Sequence, residues 1–534
     1  MLRPLLLSSL LLAACSSPDK LINTSFAAEQ TAAARAISPV PGADSVQDSL
    51  IEHSGNGGYD VELYDLRLAY DPTDFSIDAE VRIDAQVVHD LSKFNLDLYG
   101  LEVSSVEVDG NPAEFTRDGQ ELIITPSSAL RAGESMAVTV RYGGVPSPIQ
   151  DSTAPGGFLI GWRETEGEVY VISQPNGTMS FMPCNDHPID KAHFRCEITV
   201  PDPLVAVSVG PTVEVRREGN LQTFVHEPRD PLATYLITIC IAEFDVVESE
   251  PVGDIPVVNY YAPGTGQRAR DNFDQTRDVL ETLIDIVGPY PYDSAGSVAA
   301  SLRLPGALEC QTLPVYGRGV STIDIIAHEL AHQWFGNSVS LSDWKDIWLN
   351  EGFAEYLAYL YTERTSGRES YDERIFRAYS TCRSVGEYDP PGAVTPESMF
   401  GLGVYVRGPL VLHALREDVG DEVFFTILRT WATARAHGNA TIEQFVAHVN
   451  EKAERDVAPL LESWLRDPEL PKMEALEERF AEERAAFERR RAEAAQRRAE
   501  REAKRKEEQE QEEPEQGGSE QEEPKQEDPP TDSL

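Results

Sequence analysis

The chain has 534 residues, of which 91 are acidic and 46 are basic, so its formal net charge is −45 and its pI is about 4.5. Apolar residues make up 41% of the chain, which is enough to build buried cores and excludes wholesale disorder. So negative a protein repels a phosphate backbone, and we therefore expect no nucleic-acid partner.

The first residues have the pattern of an export signal. Met1 and Arg3 precede an apolar run over residues 5–14 that is too short to span a bilayer and ends in small residues before Cys15. This end resembles the lipobox of bacterial lipoproteins, where the signal is cleaved before a cysteine that is then acylated. We predict a lipoprotein signal peptide over residues 1–14 and attachment to a membrane through a lipid at Cys15. The alternative is an ordinary signal peptide with an incidental cysteine.

The expected location is the cell envelope of a bacterium. Ser16 and Ser17 follow the acylated cysteine, which favours the outer membrane where two membranes are present. Residues 15–55 are rich in Ser, Ala, Pro and Gly without periodicity, and we predict that they form a flexible tether.

From Tyr59 the hydrophobic pattern has period two. Seven apolar residues between Phe75 and Val87 alternate with polar ones, as in a strand with one buried face. Asp-Gly pairs at residues 109–110 and 118–119 separate further short alternating runs, as in hairpins. We therefore predict an N-terminal domain of mainly antiparallel strands over residues 56–250.

Five cysteines follow Cys15, and their odd number and irregular spacing show no disulfide framework. We expect most of them to be buried free thiols. They are Cys184, Cys196, Cys240, Cys310 and Cys382.

After Pro251 the periodicity becomes helical, and residues 251–471 are predicted to form a mainly helical second domain. The fold class is therefore α+β. Within this domain, residues 325–357 read IIAHELAHQWFGNSVSLSDWKDIWLNEGFAEYL. This stretch has the residues whose spacing indicates a catalytic site.

His328 and His332 are four residues apart on a predicted helix, so both imidazoles lie on one face, about one turn apart. That spacing lets two neutral nitrogens bind one Zn²⁺. Glu329 can reach a water at such a site without ligating the metal, as a general base must. Glu351 follows after eighteen residues and completes a set of two histidines and one carboxylate. The alternative is a helix with two hydrogen-bonded histidines and a surface glutamate.

These motifs resemble the aminopeptidase N family of zinc peptidases, which also contains leukotriene-hydrolysing enzymes. The resemblance extends from about Gly55 to Pro471. It rests on residues 328–337 (HELAHQWFGN), 346–352 (DIWLNEG), 183–186 (PCND) followed by Lys191-Ala192, and 405–408 (YVRG). It implies an antiparallel β saddle followed by a thermolysin-like catalytic domain that uses one Zn²⁺ per chain on peptides with a free N-terminus.

The resemblance also implies how a substrate would be bound. Residues 306–310 (GALEC) stand where the family has Gly-Ala-Met-Glu-Asn, so Glu309 is expected to bind the α-ammonium group of the substrate. Gly306 and Ala307 would pair with the peptide backbone as an edge strand. Gln174 corresponds to a glutamine near the substrate amine, although Asn176 stands where the family often has a second carboxylate.

Tyr405 corresponds to the tyrosine of the family that donates a hydrogen bond to the tetrahedral oxyanion. A phenol placed opposite the metal stabilises this charge as it develops. Leu308 and Cys310 replace the Met and Asn of the family signature, and these differences concern amine binding and side-chain preference more than hydrolysis.

From Lys472 the sequence consists of Glu, Arg and Ala repeats with few large apolar residues. We predict a charged, solvated helix over residues 472–506, with a weak coiled coil as the alternative, and a disordered acidic tail over residues 507–534. The sequence does not identify a partner for this tail. The helical domain that usually follows in the family is not recognisable after Pro471, so we expect a more open cleft.

Three functions are compatible with these patterns. The first is a membrane-attached zinc aminopeptidase. The second is a zinc endopeptidase in which Glu309 is only structural. The third is a non-catalytic exported scaffold, which the complete catalytic set disfavours.

Overall fold

The computed structural model describes residues 38–151, 153, 157–304 and 306–511, with side chains up to residue 504. The predicted signal peptide, Cys15, the first part of the tether and residues 512–534 of the tail lie outside these ranges. Within them, no helix has both the length and the apolar character that crossing a bilayer requires.

The N-terminal domain consists of strands whose side chains mostly alternate between buried and exposed positions. The strands are β1 (Val40–Pro41), β2 (Tyr59–Asp71), β3 (Ser76–Val87), β4 (Leu91–Asp97), β5 (Glu102–Val108), β6 (Asn111–Pro112), β7 (Glu114–Asp118), β8 (Glu121–Thr125), β9 (Ser135–Gly144), β10 (Ile149–Gln150), β11 (Leu159–Thr165), β12 (Glu168–Ile172), β13 (His193–Pro201), β14 (Val205–Ser208), β15 (Thr212–Glu218), β16 (Leu221–His226) and β17 (Ile239–Ala242).

These strands form three sheets. The largest has the order β15-β16-β13-β2-β3-β9-β5-β6 and is antiparallel except between β13 and β2. The other two have the orders β1-β4-β8-β7 and β10-β11-β12-β17-β14. The prediction of a mainly antiparallel β domain is therefore confirmed.

The second domain begins with a further sheet and continues as helices. Its strands are β18 (Asp245–Val252), β19 (Ile255–Tyr261), β20 (Ala295–Ala299), β21 (Ala307–Leu308), β22 (Val315–Tyr316), β23 (Val339–Leu341) and β24 (Gly438–Ala440). Its helices are α1 (Gln267–Phe273), α2 (Thr276–Val287), α3 (Ile323–Ala331), α4 (Trp348–Ser366), α5 (Arg368–Val385), α6 (Gly408–Val419), α7 (Asp421–Ala434), α8 (Ile442–Ala453) and α9 (Ala458–Arg466).

The second domain has a five-stranded sheet of the order β18-β19-β20-β22-β21 and a two-stranded sheet of β23 and β24. The predicted domain boundary between residues 250 and 251 therefore falls within β18, and two strands come before the first helix expected after Pro251. β19 alternates between buried and partly buried positions over most of its length, whereas β20 is buried throughout.

Strand β3 confirms the period-two prediction, because its apolar residues are buried from Ile77 to Val87. Phe75 is an exception. It has a positive φ of 63° and is exposed, because it lies in the turn between β2 and β3. The Asp-Gly pairs do form turns, and Gly110 and Gly119 have the positive φ angles that hairpin turns require.

The tether prediction is wrong for residues 38–55. Strand β1 pairs with β4, and Ile51 is buried. Asp48 accepts a hydrogen bond from the backbone N–H of Trp344 at 2.8 Å and lies 3.1 Å from His187 Nε2. The small and polar residues that suggested flexibility instead find partners far along the chain.

The two domains share a continuous apolar interface. Leu341, Trp344, Ile347 and Val404 of the second domain pack into the core of the N-terminal domain. Lys191 also crosses the interface, where its buried Nζ donates to the carbonyl oxygens of residues 337, 338 and 438 at 2.7, 2.9 and 3.3 Å. Burial lowers the pKa of Lys191 to about 7.

A last helix, α10 (Glu474–Gln511), follows the second domain. It continues five residues beyond the predicted end, because good helix formers extend to Pro514, the first proline after Pro471. The five described cysteines are buried and free, as expected.

Candidate active site

Helices α3 and α4 carry the predicted metal ligands. Thr322 caps α3 by accepting a hydrogen bond from the backbone N–H of Ile325. The apolar residues of α3, among them Ile326 and Leu330, are buried against the helical core. His328 and His332 consequently face the cleft, and α4 brings Glu351 to the same point.

The three ligand side chains converge closely. The Nε2 atoms of His328 and His332 are 3.0 Å apart, and Glu351 Oε2 lies 3.3 and 3.2 Å from them. The second ring nitrogens face hydrogen-bond acceptors: His328 Nδ1 is 2.9 Å from Glu355 Oε2, and His332 Nδ1 is 3.0 Å from the carbonyl oxygen of Phe335. These acceptors place the protons on Nδ1 and leave both Nε2 lone pairs directed at Glu351.

This donor set fits Zn²⁺. Tetrahedral ligands at about 2.1 Å from a metal are about 3.4 Å apart, which is close to the three distances observed. Two nitrogen lone pairs and a carboxylate oxygen repel each other at this separation unless a cation lies between them. Two histidines and one carboxylate also leave a fourth position for water or substrate.

Glu355 and the carbonyl of Phe335 are functional groups that the sequence analysis did not assign. Glu355 lies one turn after Glu351 on α4, so its spacing could have indicated that it faces the same site. Such outer partners orient the ligating histidines and raise their basicity.

Glu329 lies beside the ligand set. It is 6% exposed, and its carboxylate lies within 4.8 Å of ligand atoms of His332 and Glu309. Burial raises the pKa of the Glu329 carboxyl to about 7, against the opposing effect of the two histidines. A carboxyl group with such a pKa can both accept and return a proton near neutral pH.

Glu309 and Gln174 are brought together by the fold. Gln174 Nε2 donates to Glu309 Oε1 at 2.9 Å, and Glu309 is 2% exposed. The backbone carbonyl of Glu309 accepts hydrogen bonds from Asn337 Nδ2 at 2.7 Å and Gln333 Nε2 at 3.2 Å. Gln333 and Asn337, which belong to the motif of residues 328–337, therefore hold Glu309 in place, a role that its sequence did not indicate.

The segment before Glu309 forms one edge of the cleft. Ala307 and Leu308 make up β21, the edge strand of its sheet among the described residues, and β21 pairs only with β22. Gly306 and Ala307 both line the active-site cavity. The position is therefore suitable for pairing with an extended peptide.

Tyr405 borders the same cavity beside His328. It belongs to a π-helical turn, Gly403–Arg407, of a type often found at functional sites. Its ring stacks on His328, with the ring centroids 6.2 Å apart. Burial and the nearby carboxylates of Glu351 and Glu309 raise the pKa of Tyr405 well above its usual value, so the phenol keeps its proton and can donate it in a hydrogen bond.

The residues after Tyr405 anchor this turn. Arg407 is completely buried, and its Nε donates to the carbonyl oxygen of Trp464 at 2.9 Å. The carbonyl of Gly408 accepts from Trp348 Nε1 at 3.0 Å, and a side chain at position 408 would collide with Trp348. The Tyr-Val-Arg-Gly motif thus fixes the position of Tyr405 relative to α4.

The cleft between the domains encloses a cavity of about 820 Å³. Its walls include the ligands, Glu329, Glu309, Gln174 and Tyr405 together with apolar side chains such as Phe158, Ile172 and Phe400. All nine residues predicted for the site therefore border the same space.

Comparison with known proteins gives matches over both domains. Residues 61–236 match the family described as the Peptidase M1 N-terminal domain, and residues 317–464 match the Peptidase family M1 domain. Aminopeptidase M1 of Arabidopsis thaliana is 26% identical over 451 residues, which cover 77% of this chain and 50% of that protein. The leucyl aminopeptidase of Saccharolobus solfataricus is 24% identical over 408 residues, covering 70% and 50%. The chain thus spans about half the length of these aminopeptidases.

The similarity to solved structures extends over nearly all of the compared chains. The M1 zinc metallopeptidase of Deinococcus radiodurans is 30% identical, with a TM-score of 0.76 and coverage of 80% of this chain and 98% of that chain. A mutant of that metallopeptidase bound to a Tyr-Ser-Ala substrate has 30% identity, a TM-score of 0.75 and coverage of 80% and 99%.

Proposed function

The chain belongs to peptidase family M1, the aminopeptidase N family that its motifs indicate, and we propose that it is a zinc-dependent aminopeptidase acting on peptides with a free N-terminus. The observation that carries this proposal is the position of Glu309. Its buried carboxylate borders the cavity and lies within 4.8 Å of the Glu329 carboxylate and of a ring nitrogen of His332.

His328, His332 and Glu351 would hold the metal. Bound Zn²⁺ supplies Lewis-acid polarisation of the scissile carbonyl and makes water more acidic. The Glu355 carboxylate and the Phe335 carbonyl keep both histidines in the tautomer that presents Nε2 to the site.

Glu329 is the general base in this mechanism. Its carboxylate accepts the proton of the attacking water and then delivers it to the departing amine nitrogen, which needs a proton to leave. Tyr405 Oη donates a hydrogen bond to the former carbonyl oxygen as negative charge develops there. This interaction strengthens towards the transition state, so it lowers the barrier more than it improves binding.

Glu309 and Gln174 would set the position of cleavage. The substrate ammonium group would bind the Glu309 carboxylate, and this charge-assisted contact gains strength because it is made away from bulk water. Fixing the amine in this way puts the first peptide bond, and no other, beside Glu329. The edge strand β21 would align the peptide backbone along the cleft.

A panel of substrates tests this proposal. We expect release of amino acids from free-amine chromogenic amides, loss of the activity with a metal chelator and recovery with Zn²⁺. Peptides with an acetylated amine should be poor substrates. Internal cleavage of acetylated peptides at a similar rate would identify an endopeptidase. Zinc-loaded protein without turnover of any peptide would support the scaffold alternative.

We also propose that the mature protein is attached to a membrane through a lipid on Cys15. The support is the signal-like N-terminus and the small residues before the cysteine. We expect the intact mass of the membrane-extracted protein to correspond to a chain that starts at acylated Cys15. Cys15→Ser should prevent processing or release the protein from membranes. A mass showing cleavage elsewhere without lipid would contradict the proposal.

A further inference from the structure

Strands β4 and β8 place two carboxyl groups side by side in the N-terminal domain. Asp97 is the last residue of β4 and Glu121 the first of β8, and the two are directly opposite in the antiparallel pairing. Directly opposite residues present their side chains on the same face, where two like charges destabilise a sheet. The repulsion between the Asp97 and Glu121 carboxylates must therefore be offset by another group.

The side chains of Asn95, Gln120 and Asn56 lower the pKa of Glu121, but no positively charged side chain in the described part of the chain makes an ion pair with either carboxyl group. Asp97 is 1% exposed, and only its Oδ2 has a donor, the backbone N–H of Asp186 at 2.8 Å. Asp97 Oδ1 and both carboxylate oxygens of Glu121 are buried without a hydrogen-bond partner in the described part of the chain. The guanidinium of Arg117 acts on Glu121 only from a distance, because it donates to the carbonyl oxygens of Leu98 and Leu101.

A third residue is directed at the same point. Asn56 is 2% exposed, and its Oδ1 and Nδ2 have no hydrogen-bond partner among the described residues. Its carboxamide interacts with both Asp97 and Glu121. The Asn56 backbone is fixed, since its N–H donates to Asn185 Oδ1 at 2.6 Å and its carbonyl accepts from Asn185 Nδ2 at 3.1 Å. The carboxamide is therefore held in place facing both carboxyl groups, whose pKa values it lowers.

The electrostatics of this cluster require a positive partner or a proton. Burial, reinforced by the Glu121 charge, raises the pKa of Asp97 well above its usual value, and burial also raises the pKa of Glu121. A single shared proton can bridge only one pair of oxygens. Three unpartnered carboxylate oxygens and an amide oxygen are instead the kind of ligands that hard cations bind.

We propose that Asp97, Glu121 and the Asn56 carboxamide form a binding site for a hard divalent cation, with Ca²⁺ the best-suited ion. Ca²⁺ accepts carboxylate and amide oxygens in irregular arrangements, whereas Mg²⁺ demands near-octahedral geometry and gives up its waters reluctantly. The site contains no histidine or cysteine ligand, which distinguishes it from the zinc site of the catalytic domain.

A cation here would join three parts of the N-terminal domain. Asn56 belongs to the segment before β2, Asp97 and Glu121 belong to the β4–β8 pair, and the Asp97 carboxylate holds the backbone of Asp186. Asp186 in turn accepts a hydrogen bond from Thr234 Oγ1 at 2.7 Å. The ion is therefore structural, and its removal would lower stability without changing the catalytic groups.

The test uses the full-length protein with its zinc site saturated. After dialysis against 1 mM CaCl₂ and removal of free ion, elemental analysis should find one Ca²⁺ per chain in addition to zinc. Ca²⁺ should raise the thermal unfolding temperature by at least ~2 °C, because it binds the folded state alone, and 1 mM MgCl₂ should raise it less. Tb³⁺ should show luminescence sensitised by Tyr59, a close neighbour of Asp97, and Ca²⁺ should displace it.

Two variants are expected to differ in their affinity for Ca²⁺. Glu121→Gln removes one of two repelling charges, so it should raise the unfolding temperature in Ca²⁺-free buffer while weakening Ca²⁺ binding at least tenfold. Glu114→Gln is the matched control, because Glu114 is an exposed carboxylate of the same sheet on β7, and it should bind Ca²⁺ like the wild type. If Glu121→Gln does not fold, Asn56→Ala serves in its place.

Two results would overturn the proposal. Wild-type protein that takes up only zinc, with no response of stability to Ca²⁺, would mean that the two carboxyl groups share a proton. Equal Ca²⁺ affinity of the wild type and Glu121→Gln would place the ion elsewhere.

Discussion

The active-site cleft and helix α10 use the same charged residue types in opposite ways. In the cleft, Glu309, Glu329 and Glu351 are buried, and their environment perturbs their pKa values. Beyond the first turns of α10 the charged side chains are exposed and pair one turn apart, as Arg484 does with Glu488 at 3.3 Å and Arg498 with Glu502 at 3.0 Å.

This difference shows that burial makes the pKa of a carboxylate depend on its particular neighbours. Each exposed pair of α10 contributes only about 0.3–0.5 kcal/mol, since water competes for both charges. In the cleft, water is largely excluded, and each group depends on specific neighbours. Single substitutions in the cleft should therefore have large effects, and substitutions or deletions in α10 small ones.

The largest effect is expected for Glu329→Gln. The variant should bind zinc normally but lose turnover by about 10³-fold, because the amide cannot accept the proton of water. Elemental analysis and kcat for a free-amine amide are the measurements. Glu483→Gln in α10 is the control and should leave both unchanged. A comparable kcat in Glu329→Gln would show that another group acts as the base.

Tyr405→Phe should lower kcat by about 10²-fold with little change in KM. The phenol contributes mainly in the transition state, and the phenyl ring preserves the stacking on His328. Steady-state kinetics of the wild type and the variant on one series of free-amine amides measures both kcat and KM. An equal rise in KM with unchanged kcat would mean that Tyr405 only binds the ground state.

Glu309→Ala should lower kcat/KM for free-amine peptides by at least ~10²-fold, about 2.7 kcal/mol. Acetylation of the substrate should have a similar effect on the wild type. The two changes should be strongly non-additive, since each removes the same interaction. Additive losses in this double cycle would indicate that Glu309 acts on stability or on the metal ligands.

Glu355→Gln should weaken zinc binding by about 10–100-fold, because a neutral amide holds the His328 Nδ1 proton less firmly than a carboxylate does. Competition with a chromogenic chelator measures this affinity. Glu363→Gln near the end of the same helix is a control outside the cleft. Unchanged affinity would show that the helix backbone alone orients His328.

Deleting residues 486–534 should have the smallest effect. The contacts of α10 with α5 lie in its first turns, where Glu477 accepts from Tyr379 Oη at 2.5 Å and Arg479 pairs with Glu373. We expect kcat/KM within twofold of the full chain and an unfolding temperature within ~2 °C. Deletion from residue 474, which also removes these contacts, should lower the unfolding temperature further. A large loss of activity or stability after deletion of residues 486–534 would reveal a function for the exposed part of α10.

Local patterns in the sequence predicted much of this protein. The i,i+4 spacing of His328 and His332 is a property of any helix, so the metal pair could be inferred without a fold. The alternation along β3 and the Asp-Gly turns are equally local. The motif resemblance indicated Glu309, Gln174 and Tyr405, and all three border the cleft.

Other features depend on residues that are distant in the chain. Asp48 contacts Trp344, which is 296 positions away in the chain, and His187, which is 139 positions away. The local composition around Asp48 does not indicate that this segment is packed. Gln333 and Asn337 support Glu309 only because β21 lies beside the end of α3. Phe75 fits the alternating pattern of β3 but lies in the turn before it. The hydrophobic period alone therefore does not define where a strand begins.

The sequence by itself indicated the candidate metal ligands, the candidate general base and the order of a β domain before a helical one, since side-chain chemistry and periodicity are properties of short segments. Only the tertiary structure decided how far the carboxylates are removed from water. Glu309 beside Gln174 and Asp97 opposite Glu121 are ordinary acidic residues in the sequence. Their burial and their partners arise from the packing of separate strands and helices, and that packing sets how strongly each charge interacts.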